Sequence, residues 1–200
     1  MSAIEPAEWV AGIGSRQTPN PMLVVIRILA GDVAARGTGI RSGNALGADQ
    51  AWEEGARRAG GRVVSFTAAP KPGSDVIAFE HLPAHVQAKA MAIASQHHPA
   101  WDRLGEYIKR LMARNACQVL GETLEDPVAG VLCWAEGSRF SPTGIADVKG
   151  GTGLAVRLAH SLQIPVLNLA VPAHFEHARC WHRDSSQQLK HLLDLPAPEI

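Results

Sequence analysis

Five short apolar runs, spaced by longer helix-patterned stretches, restrict the folds open to this chain more than any other feature. They are "WVAGIG" (residues 9–14), "TGIRSG" (38–43), "RVVSFTA" (62–68), "PVAGVLCWA" (127–135) and "IPVLNLA" (164–170). Runs of this length and composition read as buried strands, and strands alternating with helices imply a mostly parallel sheet covered on both faces. The expected fold is therefore α/β, Rossmann-like and doubly wound, with the sheet flanked by helices.

The intervening segments support that order. Thr18 followed by Pro19 reads as an N-cap and a first-turn proline, opening a helix through "MLVVIRILAGDVAARG". "QAWEEGARRAG" reads as a second helix, stopped by Gly60 and Gly61. Residues 68–81, with Pro70, Pro72 and Gly73, read as a long irregular loop of functional length. Helices are expected over 83–96 and 101–120, separated by "HHPA", and a polar loop precedes "KGGTGLAVRLA" at 149–159. From His174 onward the chain reads as a polar, frayed helical tail, so a main domain over 1–172 and a tail over 173–200 are expected.

Three glycine-bearing loops fall after strands. "GIGSRQTP" follows the first, "SGNALGAD" the second, and "KGGTG" closes the loop after the fourth. In open α/β sheets ligands bind beyond the carboxyl ends of the strands. Bare amides at a helix start suit a phosphate, and an arginine can grip it with two prongs. The candidate ligand-binding residues are Gly12, Gly14, Ser15, Arg16, Ser42, Gly43, Asn44, Asp49, Gly150, Gly151, Thr152 and Gly153. Each loop taken alone reads equally as a tight turn. There is neither a Walker loop nor a complete dinucleotide fingerprint.

Charge and composition narrow the ligand. The 19 basic and 19 acidic residues cancel. A protein gripping a long nucleic-acid stretch usually carries a basic excess, so only a local patch is expected. Arg16, Arg41, Lys71, Arg110, Arg114, Arg139 and Lys149 are the residues that would form it, with Arg110 and Arg114 sharing a helix face. Cys117, Cys133 and Cys180 are too few and too scattered for a disulfide framework. The start "MSAIEPAEWV" lacks a basic n-region and an apolar core, and no run reaches membrane-spanning length. A cytoplasmic globular protein with no membrane partner is expected.

Other clusters lead elsewhere. His174, His177, Cys180 and His182 lie within nine positions but match no zinc spacing, so no metal site is expected, and no cofactor is implied. Trp134, at the end of the fourth strand, reads as core in preference to a base-stacking wall. Cys117 and Cys133 read as inert core thiols.

The segments "GIGSRQTP", "RSGNALGADQAWEEGA", "LMARNACQVLG" and "GGTGLAVRLA…IPVLNL" occur in the order seen in the SLOG superfamily, which the chain resembles from Trp9 to Leu169. That group includes DNA-processing protein A, a recombination mediator, and the Lonely Guy phosphoribohydrolases. The wording is most similar to DNA-processing-protein-A-like members found in phages. The resemblance implies a nucleotide-type ligand above the glycine loops, with Arg114 and Asn115 reaching in, and a homo-oligomer. It leaves three functions open: a sensor or sequestering protein for a nucleotide-derived ligand, a mediator that binds single-stranded DNA, or an N-glycosidic hydrolase. For the last, Arg114 matches the first Lonely Guy motif, but Asn115 replaces its lysine. Lys149 replaces the proline of the second motif, and its glutamate is absent near Arg157. Either Asp147 or Asp49 would have to supply the carboxylate.

Overall fold

The computed structural model describes residues 8–137, 148 and 150–195. Among these, six parallel strands form one sheet in the order β4-β3-β2-β1-β5-β6. The strands are β1 (Trp9–Gly14), β2 (Gly39–Ser42), β3 (Val63–Thr67), β4 (Val76–Ala78), β5 (Gly130–Trp134) and β6 (Val166–Asn168). The helices are α1 (Asn20–Ala35), α2 (Ala48–Arg58), α3 (Ala84–His97), α4 (Glu106–Leu120), α5 (Gly150–Ser161), α6 (Pro172–Arg183) and α7 (Leu189–Leu193). This is the expected doubly wound α/β fold. The chain builds outward from β1 through β2 to β4, then crosses to β5 and β6, so strand order reverses between β1 and β5. That reversal opens a crevice at the carboxyl edge.

Two cores account for the apolar runs. Ala11, Ile13, Phe66 and Cys133 face α3, α4 and α5 on one side. Val10, Ile40, Leu132 and Leu167 face α1, α2 and α6 on the other, with Trp52 at the centre. All five residues of β5 are buried, as its unbroken apolar pattern requires of a central strand.

Three local expectations change. Residues 68–81 are not all loop: Val76–Ala78 pairs with β3 as an edge strand, and Phe79–His81 forms a short 3-10 turn. Thr18 does not cap α1, because its hydroxyl donates to Ser15 O at 2.7 Å and Pro19 takes the cap position. The helix expected from Trp101 begins only at Glu106, since Trp101–Arg103 is a separate 3-10 turn ahead of Gly105.

The tail differs most from its polar reading. His174, Ala178 and Trp181 form a buried face of α6, and Leu189 and Leu192 of α7 are also buried. The Arg36 guanidinium lies 3.9 Å from the Trp181 ring centroid, and its Nε donates to Gln187 O at 2.9 Å. A cation over an indole and a charge-assisted hydrogen bond thus fasten the tail to α1. No helix among the described residues is long and apolar enough to cross a membrane.

Candidate functional site

The loops after β1 and β2 are tied together beneath the crevice. Gly14 N–H donates to Asp49 Oδ1 at 2.9 Å, and Ser42 Oγ donates to Gly12 O at 2.6 Å. Ser15 N–H reaches across to Trp134 O at 3.0 Å, docking the β1 loop on the end of β5. Ser42 is completely buried in this arrangement. Ser15 Oγ accepts from Gln17 N–H at 3.0 Å, while Arg16 beside it is exposed.

The glycines divide into two groups. A Cβ on Gly12 would come within 2.7 Å of the Trp52 ring, and one on Gly14 within 2.7 Å of Trp134 O. A Cβ on Gly153 would approach Val148 O to 2.0 Å. These three allow protein to pack on protein. Gly150, by contrast, has φ 71° and nothing within 4 Å of its Cβ position. Gly151 O accepts from Asn115 Nδ2 at 3.1 Å, which joins the start of α5 to α4. Thr152, half-buried, completes this first turn. The amides of a first helical turn have no partner within their own helix and carry partial positive charge.

Gly43 has a distinct role. A Cβ there would stand 2.0 Å from Arg114 Nη1 and 2.5 Å from Gln118 Nε2. The missing side chain is the space that the Arg114 guanidinium occupies on the carboxyl end of β2. Arg114 is only 8% exposed, and its Nη2 lies 3.9 Å from Asp49 Oδ2, an ion pair too long for a hydrogen bond. Arg114 Nε and Gln118 Nε2 are buried and find no hydrogen-bond partner among the described residues. Buried donors without acceptors are uncommon and costly, so two side by side at the end of β2 single out this place.

The neighbouring charges are already paired. Glu53 accepts from Asn44 N–H at 2.8 Å, Asn44 Nδ2 at 3.0 Å and Arg57 Nη1 at 3.2 Å. Asn44 is held left-handed with φ 52°, and Lys71 Nζ donates to its carbonyl at 3.0 Å and its Oδ1 at 2.8 Å. Burial pushes the Asp49 carboxyl up to about 6, against the opposing pull of the Arg114 charge and the Gly14 N–H. Burial also lowers the pKa of Arg114. Both core thiols, Cys117 and Cys133, are pushed up to about 12 by burial, so neither is a nucleophile.

The Asp49 value has a testable sign. Its ordinary value is 3.8, so the folded protein holds this proton more tightly than the unfolded chain does. Stability therefore rises as pH falls through 6 and stops gaining near 3.8. Denaturant melts of wild type and Asp49→Asn between pH 7.5 and 4 should show their difference moving in favour of wild type by up to roughly 3 kcal/mol. A difference that stays flat over that range would show that Asp49 does not titrate there.

The structure thus gathers Gly14, Ser42, Gly43, Asn44, Asp49, Arg114 and Asn115 around one edge, with Gly150 and Gly151 beside them. Gly12 and Gly153 lie below, in packing contacts. Arg41 does not join the basic group, because it is buried with Asp126 as its partner and the Trp9 ring 5.0 Å away. Asp147, Arg139 and Lys149 lie outside the described residues. Arg157, where the resemblance calls for a glutamate, donates from Nε to His97 O at 2.6 Å and from Nη1 to Val148 O at 3.2 Å. The tail histidines are used locally. His174 Nδ1 accepts from Asn168 N–H at 3.0 Å, His177 Nε2 lies 2.8 Å from His191 O, and His182 pairs with Asp32.

Two further residues of the site, Glu53 and Gln118, escape the sequence reading. Each stands four residues after a candidate, Asp49 or Arg114, and so shares its helix face. That spacing on an otherwise apolar face is the signal that could have found them.

Among solved structures, the fold resembles the Moco carrier protein of Chlamydomonas reinhardtii. One such structure has a TM-score of 0.51 at 16% identity, covering 82% of this chain and 77% of that one. A second, described as the molybdenum cofactor carrier protein, has a TM-score of 0.50 at 16% identity, covering 84% and 81%. DNA processing protein A from Helicobacter pylori, described with a single-stranded DNA binding mode, follows with a TM-score of 0.48 and 20% identity. The match covers 80% of this chain and 64% of that protein. At these identities the likeness is one of fold. No protein-family model matches the sequence, and no curated protein is similar to it in sequence.

Proposed function

We propose that the protein binds a nucleotide or nucleotide-derived small molecule at the carboxyl edge of β1, β2 and β5, as a sensor or a sequestering protein. The observation that carries this reading is the buried Arg114 guanidinium, packed on Gly43 at the carboxyl end of β2 with its Nε–H unanswered among the described residues. An anionic oxygen of the ligand would accept from it, and a charge-assisted bond of that kind is among the stronger ones available. The amides of Gly150 and Gly151 offer a second set of donors, and the left-handed Asn44 shapes the third wall. Of the carboxylates among the described residues at this edge, Asp49 and Glu53 favour binding over turnover. Asp49 is buried on Gly14 N–H, and Glu53 is committed to Asn44 and Arg57, so neither carboxylate is placed to activate water. A carrier of a small cofactor on the same fold is in keeping with such a role.

Thermal unfolding against nucleoside mono- and diphosphates, ribose 5-phosphate and a short single strand tests the proposal. A ligand at 100 times its dissociation constant adds about 2.7 kcal/mol, a rise of roughly 5–10 °C for a chain of this size. The expected result is such a rise with one class of mononucleotide, nearly independent of salt. A rise with the oligonucleotide alone, falling steeply as salt increases, would move the function to strand binding. No rise with any compound would overturn the reading.

A further inference from the structure

The donor that anchors the site belongs to a longer row. Tyr107, Arg110, Arg114 and Gln118 recur at three- and four-residue spacing and share one face of α4. Burial deepens along the row: Tyr107 is 55% exposed, Arg110 half-buried, Arg114 8% exposed and Gln118 1% exposed. Arg110 Nε, Arg114 Nε and Gln118 Nε2 are all buried without a hydrogen-bond partner among the described residues.

The direction of the helix places this row in the crevice. Arg114 packs on Gly43, just past the carboxyl end of β2, whereas Gly121 after the end of α4 packs on Arg41 within β2. The helix therefore runs opposite to the strand, and its first turns stand beyond the carboxyl edge. Tyr107 lies about 10 Å along the axis from Arg114, on the solvent side. Tyr107 is also the only tyrosine in the chain, and it spends an aromatic ring on the surface, one helical turn before Arg110.

Resting on the binding reading above, we infer that Tyr107 and Arg110 are ligand-contacting residues. The Tyr107 ring stacks on a flat heteroaromatic group while Arg110 and Arg114 hold the anionic group. The ligand is then a nucleotide with its base intact and not a bare sugar phosphate. An exposed ring offers a nucleobase a face to stack on, and the neighbouring cations neutralise the phosphate.

The test is calorimetric titration of wild type, Tyr107→Ala, Tyr107→Phe and Arg114→Ala with the four ribonucleoside 5′-monophosphates and with ribose 5-phosphate. Wild type should bind at least one monophosphate about 10- to 100-fold more tightly than ribose 5-phosphate. Tyr107→Ala should erase that preference and leave the sugar phosphate affinity unchanged, while Tyr107→Phe keeps it. Because Tyr107 is exposed, its removal leaves the fold intact, and thermal unfolding of the unliganded variant checks this. If Tyr107→Ala keeps the preference while Arg114→Ala loses every compound, the inference falls and the binding reading stands. Equal loss of monophosphate and sugar phosphate in Tyr107→Ala also overturns the stacking role. If wild type binds none of the five compounds, this inference falls, and the nucleoside diphosphates of the thermal panel decide the binding reading.

Discussion

Arg114→Ala should weaken ligand binding by roughly 100-fold or more and lower stability by about 3–5 kcal/mol at pH 7.5. The binding loss follows because this guanidinium is the cation built into the crevice floor. The stability loss follows from what remains. Asp49 is 3% exposed and sits 3.9 Å from the arginine, so truncation leaves a buried carboxylate with only the Gly14 N–H and loop contacts to hold its charge. The two effects separate by pH. With its countercharge gone, Asp49 takes up a proton at a pH above its present value of about 6, so the destabilisation should shrink markedly at pH 5. Denaturant melts at both pH values check this. Equal destabilisation at pH 5 and 7.5 would mean that the arginine acts by packing alone.

Trp52→Ala should cost about 3–5 kcal/mol, and it should change how costly a side chain at Gly12 is. Trp52 is fully buried, donates from Nε1 to Ile13 O at 3.2 Å, and covers the glycine so closely that a Cβ would lie 2.7 Å from its ring. In the wild type, Gly12→Ala should cost about 1–3 kcal/mol through overpacking. In the Trp52→Ala background that cost should fall but not vanish, because the ring is gone while the Cβ of residue 52, at 2.8 Å, and Ile40 Cγ2, at 3.0 Å, remain. The coupling in this double-mutant cycle is the measurement. Strict additivity would show that Gly12 is required for something other than room for the Trp52 ring.

This pair shows where sequence and structure part. The strands were legible because each is an apolar run bounded by glycine or a turn, and the edge that gathers their loops followed from parallel order alone. What each glycine is for was not legible. Gly12, Gly14, Gly43 and Gly150 look alike in sequence, yet a tryptophan, a backbone carbonyl, a guanidinium and open space stand opposite them. That difference is set by contacts distant in sequence. The edge strand β4 escaped because three residues carry no period. The tail read as polar although His174, Ala178 and Trp181 follow the i, i+4, i+7 spacing of a buried face. Histidines diluted that signal, and His174 is buried with its Nδ1 accepting from Asn168 N–H. For the site, Arg114 and Asn115 were found through resemblance, whereas Glu53, Gln118 and Tyr107 needed the helix faces to be placed against the sheet.

The central claim is that one crevice, floored by Arg114, takes the ligand. The most direct measurement is an NMR titration of the 15N-labelled protein with the mononucleotide that stabilises it most, following backbone amides and the arginine Nε–H signals together. The Arg114 Nε–H should shift and exchange more slowly with solvent as its missing acceptor arrives. The amides of Gly43, Asn44, Gly150 and Gly151 should move with the same dissociation constant. Ligand-induced shifts that cluster elsewhere, with the Arg114 signal unmoved, would place the binding site outside the crevice and contradict the claim.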